Sequence, residues 1–222
     1  MDKYKVAIVI PAFNEEATIS AVVQSVKKYG TVIVINDAST DKTKQIAESV
    51  GAIVVNHSEN QGYDGALNSG FIKADELGCD AIITFDADGQ HSAKLLKKYI
   101  NELKNGVDLV LGIRPNPARI AEKLFMYYTR AKFKWQDPLC GMKGYSMELY
   151  RKCGHFDSRS SIGTELATYG LVNSFSYAQI YIEITERKDQ PRFSSIFKAN
   201  FKIMKALFYL IGSKKVKKLR VS

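Results

Sequence analysis

Apolar positions in this chain fall into short runs separated by polar stretches of helical period. Val6-Ala7-Ile8-Val9-Ile10 reads as a buried strand, and Thr31-Val32-Ile33-Val34-Ile35, Ala52-Ile53-Val54-Val55, residues 80–85 and residues 107–111 read alike. Helices fill the intervals. Ile19, Val22, Val23 and Val26 recur at helical spacing after Asn14, a candidate N-cap, and Gly30 ends the run. A second helix runs to Val50, residues 60–70 open a third that is rich in small residues, and residues 92–103 form a fourth. Strands alternating with helices predict an α/β fold with a mainly parallel central sheet flanked by helices.

The order changes after Arg114. Residues 120–134 place Leu124, Tyr127, Tyr128 and Ala131 along one helix face, and Phe125, Tyr127, Tyr128, Phe133 and Trp135 are expected in the core. Residues 136–145, with Gly141 and Gly144, read as a loop. Residues 147–152 and 163–171 read as helices, the second carrying Glu165, and residues 177–185 alternate as a strand. In residues 195–212, Phe197, Phe201, Met204, Phe208 and Ile211 recur at alternating spacings of four and three, with Lys198, Lys202 and Lys205 on the neighbouring stripe. That is an amphipathic helix with a basic flank, built either to pack on the core or to lie on a membrane surface.

The loops richest in functional groups each follow a strand. In open α/β sheets ligands gather at the carboxyl ends of strands, so Glu15, Asp37, Asp86, Asp88 and Arg114 are expected on one rim. Asp86 and Asp88 stand two apart as the strand of residues 82–85 ends, a spacing that points both to one side of an extended chain. Carboxylates held together repel unless a cation lies between them. Their oxygens, with Gln90 as a neutral third ligand, suit Mg²⁺ or Mn²⁺ with positions open for phosphate. Asp41 is expected to cap the helix that follows it and Asp37 to contact ligand. Gly62, Gly65 and Gly70 match no Walker or dinucleotide fingerprint and are read as helix–sheet packing. Asp137 is the first choice for a general base if the acceptor is a hydroxyl, with a structural anchor as its alternative; Glu165 is a second carboxylate that has the option of pairing with an arginine. His91 lies next to the metal pair, and His57 and His155 are expected at the surface.

At 222 residues, 45% of them hydrophobic, the chain has length and composition for a sizeable core, read as one domain over residues 1–212 with a basic tail at 213–222. No run approaches the ~20 apolar residues of a spanning helix, and the first apolar run is too short for a signal sequence. Cys79, Cys140 and Cys153 form no close metal pair, which implies free thiols in a reducing cytoplasm. Lys and Arg balance Asp and Glu through residue 189, so the net charge of +9 lies wholly in residues 190–222. That places an anionic surface near the C-terminus. Nucleic acid would account for the tail but leaves the rim of carboxylates without a role.

Taken in order, Pro11-Ala12-Phe13-Asn14-Glu15, Asn36-Asp37-Ala38-Ser39-Thr40-Asp41, Gly62-Tyr63-Asp64-Gly65-Ala66, Phe85-Asp86-Ala87-Asp88-Gly89-Gln90-His91, Gly112-Ile113-Arg114, Asp137-Pro138-Leu139-Cys140-Gly141-Met142-Lys143 and Glu183-Ile184-Thr185-Glu186-Arg187 resemble family 2 glycosyltransferases of the GT-A fold, nearest to the dolichyl- and polyprenyl-phosphate sugar transferases. The resemblance implies that Pro11, Phe13, Glu15, Ile35 and Asp37 frame the nucleoside of a nucleotide-sugar. It implies that Asp86, Asp88 and Gln90 hold a divalent metal against the diphosphate, with Asp88 and Asp137 in the catalytic set. Arg114, Lys143, Arg187 and Arg192 are then candidates for donor or acceptor phosphate. The implied reaction is a metal-dependent, inverting hexosyl transfer to polyprenyl phosphate at the cytoplasmic membrane face. The alternatives are transfer to a sugar hydroxyl of a surface glycan, or a non-catalytic nucleotide-binding module.

Overall fold

The computed structural model describes residues 4–115, 119–182 and 196–212, with the side chains of the last stretch from Asn200 onward. The candidates Arg187 and Arg192, and the tail at 213–222, lie outside the described residues.

Seven strands form one sheet. In chain order they are β1 (Val6–Ala12), β2 (Thr31–Asn36), β3 (Ile53–Asn56), β4 (Ala81–Thr84), β5 (Leu109–Ile113), β6 (Lys143–Ser146) and β7 (Tyr177–Tyr181). Across the sheet the order is β3-β2-β1-β4-β6-β5-β7, and every pair is parallel except those made by β6. The helices are α1 (Ile19–Val26), α2 (Thr43–Ser49), α3 (Gly62–Glu76), α4 (Leu96–Lys104), α5 (Ile120–Phe133), α6 (Met147–Cys153), α7 (Glu165–Val172) and α8 (Ile196–Gly212).

Both faces of the sheet are covered, which is why its strands read as continuous apolar runs rather than alternating ones. On β1, Ile8 and Ile10 face a core shared with Val22 and Val23 of α1 and Tyr99 of α4. Val9 faces the opposite core, with Leu67 and Phe71 of α3 and Leu166 of α7. Gly70 is there because α3 crosses the sheet closely: a Cβ at that position would lie 2.2 Å from a Val9 methyl. A third, smaller cluster joins α5 to α8 through Ala121, Phe125, Ile203, Ala206 and Leu207.

Three local expectations are corrected here. The end of the stretch 136–145, read as loop, lies in β6 (Lys143–Ser146); four residues including a glycine give no apolar run, and antiparallel pairing to β4 and β5 makes the strand. Asn14 does not cap α1, whose N-cap is Thr18. Asn14 has φ 54° and ties the β1 and β2 loops together, its Oδ1 accepting from Thr40 N at 2.9 Å. On α5 the core face is Ala121, Phe125, Met126 and Thr129, whereas Leu124, Tyr127 and Ala131 are exposed.

Candidate active site

Parallel β1, β2 and β4 end at one edge, and antiparallel β6 begins there, so four segments deliver side chains to a single rim. Thr84, the last residue of β4, locks two of them together. Its buried hydroxyl donates to Gly141 O (2.6 Å) and accepts from Lys143 N (3.0 Å). The 139–142 loop therefore lies directly on Asp86. A Cβ on Gly141 would come within 2.4 Å of Asp86 Oδ2, so only glycine permits this approach.

Asp86 is oriented before any ligand arrives. His91 Nε2 lies 2.9 Å from Asp86 Oδ2, with the imidazole buried and the carboxylate 28% exposed. Burial works to raise the Asp86 pKa, but the His91 hydrogen bond and charge, with Lys143 and Arg114, outweigh it and hold the carboxylate below its ordinary value. Burial likewise opposes charge on His91, and its bond to Asp86 leaves the imidazole pKa raised. Asp88, partly exposed, accepts from Gln90 N at 3.1 Å across the turn at Gly89.

The second group lies at the end of β5. Arg114 donates to Asp137 from its backbone N (3.1 Å), Nε (2.7 Å) and Nη2 (2.9 Å), and from Nη2 to Glu122 at 3.4 Å. Asp137 is 2% exposed in its side chain. Burial works against the Arg114 charge, but Asp137 prevails and raises the guanidinium pKa. A general-base role for Asp137 does not fit this geometry: the carboxylate already accepts three N–H bonds from Arg114, two of them from its permanently charged guanidinium. Asp137 positions Arg114. Glu122, absent from the sequence-based candidates, shares the task. It is buried on α5 and also binds Arg119 Nη1 at 3.2 Å. A single Glu in a helix first turn carries no signal of such a role.

The third group closes the ends of β1 and β2. Pro11 and Phe13 are partly exposed there and Glu15 is buried, its Oε2 accepting from Thr18 Oγ1. Asp37 accepts from Gln61 N and Gly62 N, both at 2.8 Å, and meets His57 Nδ1 at 2.7 Å. His57, expected at the surface, is buried and continues to Ser69 Oγ at 2.8 Å. Asp41, expected to cap α2, is not its N-cap, which is Lys42 with no side-chain cap bond; its Oδ1 accepts from Thr43 N at 2.9 Å from one residue before the cap. Ile35 is fully buried in the core beside Phe71 and cannot frame a nucleoside. Lys143 is also withdrawn from the rim: it donates to Gly163 O at 3.0 Å and its Nζ lies 5.8 Å from the Trp135 ring centroid. Burial lowers its pKa, and its effect on the rim is the field it adds at Asp86. Glu165 accepts from Ser158 N at 2.6 Å and lies 3.2 Å from His155 Nε2. Burial pushes the Cys140 thiol up to about 12, which leaves it inert as a nucleophile.

Among the described residues, no three His, Cys, Asp or Glu side chains are grouped to hold a metal ion. The donors at the β4 end nevertheless fit one hard divalent ion that takes its remaining ligands from substrate. They are two rim carboxylates and a side-chain amide, with Asp86 fixed from behind by a histidine.

Comparison with known proteins agrees with this fold. The family model described as glycosyl transferase family 2 matches residues 7–153. A dolichyl-phosphate hexose transferase of Haloferax volcanii is 25% identical over 84% of this chain and 85% of its own length. The UDP-N-acetylglucosamine–dolichyl-phosphate N-acetylglucosaminyltransferase of Methanococcus voltae is 35% identical over 45% of this chain; that match spans about half of the relative, 49%. Among solved structures, glucosyl-3-phosphoglycerate synthase of Mycobacterium tuberculosis, crystallised with Mn²⁺ and UDP-glucose, superposes with a TM-score of 0.75 at 20% identity, over 94% of this chain and 79% of that one. With a sheet of this order, carboxylates at the β4 end and the family model across two thirds of its length, the chain belongs to the family 2 glycosyltransferases and has their GT-A fold.

Proposed function

We propose that this glycosyltransferase moves a sugar from a nucleotide-sugar to polyprenyl phosphate at the cytoplasmic face of a membrane. Residues 1–212 act as the catalytic unit and 213–222 as a basic tail. Asp86, Asp88 and Gln90 would hold Mg²⁺ or Mn²⁺ against the donor diphosphate. When bound, the ion stabilises the negative charge that develops on the departing nucleoside diphosphate. His91 fixes the rotation of Asp86, and Gly141 lets the acceptor-side loop close over it. Pro11, Phe13, Glu15 and Asp37 border the nucleoside end. Arg114, held by Asp137 and Glu122, would offer the rest of its fork to phosphate, and Arg187 and Arg192, which lie outside the described residues, are further candidates for it. The acceptor oxygen attacks the anomeric carbon as the bond to the diphosphate oxygen breaks on the opposite side, so the configuration inverts.

One observation carries the choice of acceptor. Both carboxylates suited by sequence to serve as a general base are occupied: Asp137 by Arg114, Glu165 by Ser158 and His155. A hydroxyl acceptor needs a proton taken from it; a phosphate oxygen is already ionised and needs no base. The dolichyl-phosphate acceptors in the names of two relatives support the same choice.

The test pairs acceptors. A nucleotide-sugar screen with Mn²⁺ or Mg²⁺ is run against short-chain polyprenyl phosphate and against the matching polyprenol. Transfer to the phosphate alone, with a flat rate across neutral pH, is expected. Transfer to the alcohol, or only to a sugar hydroxyl, would contradict the reading.

A further inference from the structure

The apolar stripes most visible in the sequence of α5 and α8 are the ones the fold leaves outside. On α5, Ile120, Leu124 and Tyr127 are 75%, 51% and 77% exposed. On α8, Phe201, Phe208 and Ile211 are 72%, 65% and 50% exposed, while Ile203, Ala206 and Leu207 form the buried face. Each helix thus has two apolar faces, one packed and one open. A surface helix that packs only on its own protein keeps a polar outer face.

The open faces border one seam. Tyr128 and Met204 are partly buried against the cluster that joins the two helices. Leu124 stands four residues before Tyr128, and Phe201 and Phe208 stand three before and four after Met204, so the exposed side chains are their helical neighbours. Phe201, Met204, Phe208 and Tyr209 wall an apolar groove, with Lys205 at its edge.

The exposed charges on the two helices have one sign. Lys123, Arg130, Lys202 and Lys205 are exposed on the two helices. The one acid of α5, Glu122, is buried and paired with Arg114 and Arg119, and α8 has none. A second copy docked through this face would set cations against cations. An anionic lipid surface matches both features, cations for the headgroups and aromatic and aliphatic side chains for the acyl boundary. No helix of the described residues is long and apolar enough to cross a membrane.

We propose that the outer faces of α5 and α8 form a docking surface for an anionic bilayer, in which Leu124, Tyr127, Phe201 and Phe208 enter the headgroup–acyl boundary. The proposal rests on the reading of a lipid-borne acceptor and says how the site reaches it. The first turn of α5 carries Glu122, which binds Arg114 at 3.4 Å, so the docking helix is tied directly to the rim.

The experiment uses the full chain and phosphatidylcholine vesicles with and without phosphatidylglycerol, free of any polyprenyl lipid. The variant is Leu124→Ser, Tyr127→Ser, Phe201→Ser and Phe208→Ser combined, with each helix pair made separately in case the fourfold change does not fold. High salt screens the basic residues and isolates the apolar part of binding. The native chain is expected to bind the anionic vesicles and to retain part of that binding in high salt. The variant is expected to bind at least about tenfold more weakly, with unchanged melting temperature and unchanged transfer to a short-chain, water-soluble polyprenyl phosphate. Equal binding by native and variant, or no binding by the native chain, would overturn the docking surface. So would a native dimer that the substitutions dissolve, or loss of a bound acidic protein without loss of vesicle binding. Vesicle binding without transfer to the short-chain acceptor would instead sink the acceptor reading and leave the surface standing.

Discussion

Asp86 at the end of β4 and Asp137 beside the end of β5 are carboxylates on one rim, both touched by charged neighbours, yet they are set up for different work. Asp137 is closed: its side chain is 2% exposed and takes three N–H bonds from Arg114. Asp86 is open: 28% of its side chain is exposed, and His91 behind it fixes its direction. On the proposed reading the carboxylate that the protein has already satisfied is a strut and the one oriented and left open is the ligand. Asp37, at the proposed nucleoside end, is held by Gln61, Gly62 and His57 and so combines a place on the rim with a closed set of protein partners.

The comparison breaks most visibly at Asp137. Asp137→Asn takes from the mostly buried Arg114 its nearer counter-ion and leaves only Glu122 at 3.4 Å, at a cost of on the order of 3 kcal/mol, the low end of the range for such pairs because Arg114 keeps some solvent and a second carboxylate. The expected signature is a marked drop in melting temperature and a raised KM for the phosphate acceptor. A general base would lose its rate at low acceptor KM and with stability intact.

Gly141→Ala tests the open carboxylate from the other side. The added methyl has to displace either Asp86 or the loop. A shift of about 1 Å at a reacting centre costs about 10²-fold in rate. Single-turnover kinetics should show that loss with little change in melting temperature; an unchanged rate would mean that Asp86 is not held as described.

Asp64 sharpens the comparison as an intermediate case. It accepts from Gly163 N at 2.7 Å and Ile162 N at 3.2 Å, and no cation pairs with it directly among the described residues. Burial, with the nearby charge of Asp157, raises its pKa to about 6. The folded state therefore binds this proton more tightly than the unfolded chain, whose carboxyl titrates near 3.8. The associated stability is present below about pH 4 and is lost as pH rises through about 6, by about 1–2 kcal/mol after allowance for partial exposure. Melting curves across that range should flatten in Asp64→Asn; an identical pH dependence would remove Asp64 as its source.

The sequence exposed those parts of the molecule where burial and pattern coincide. Strands covered on both faces gave apolar runs, and the loops after β1, β2, β4 and β5 announced the rim. It missed β6, whose Lys143-Gly144-Tyr145-Ser146 has no period and owes its conformation to neighbours. It put Tyr127 of α5 in the core and left the α8 stripe open between core and surface, because periodicity reports an apolar stripe without saying what the stripe faces. It also could not tell the open carboxylate from the closed ones, since Asp86, Asp37 and Asp137 differ in their donors, which come from residues 5 to 25 positions away. His57 was read as a surface residue for the same reason.

The central claim is that Asp86 and Asp88 bind donor through a divalent ion. Calorimetric titration of the nucleoside diphosphate selected by the donor screen, with and without Mn²⁺, tests it most directly. Binding that needs Mn²⁺ in the native chain, and that is lost in Asp86→Asn and Asp88→Asn at unchanged melting temperature, is the predicted result. Equal affinity in excess chelator, or equal Mn²⁺-dependent affinity in both variants, would contradict it.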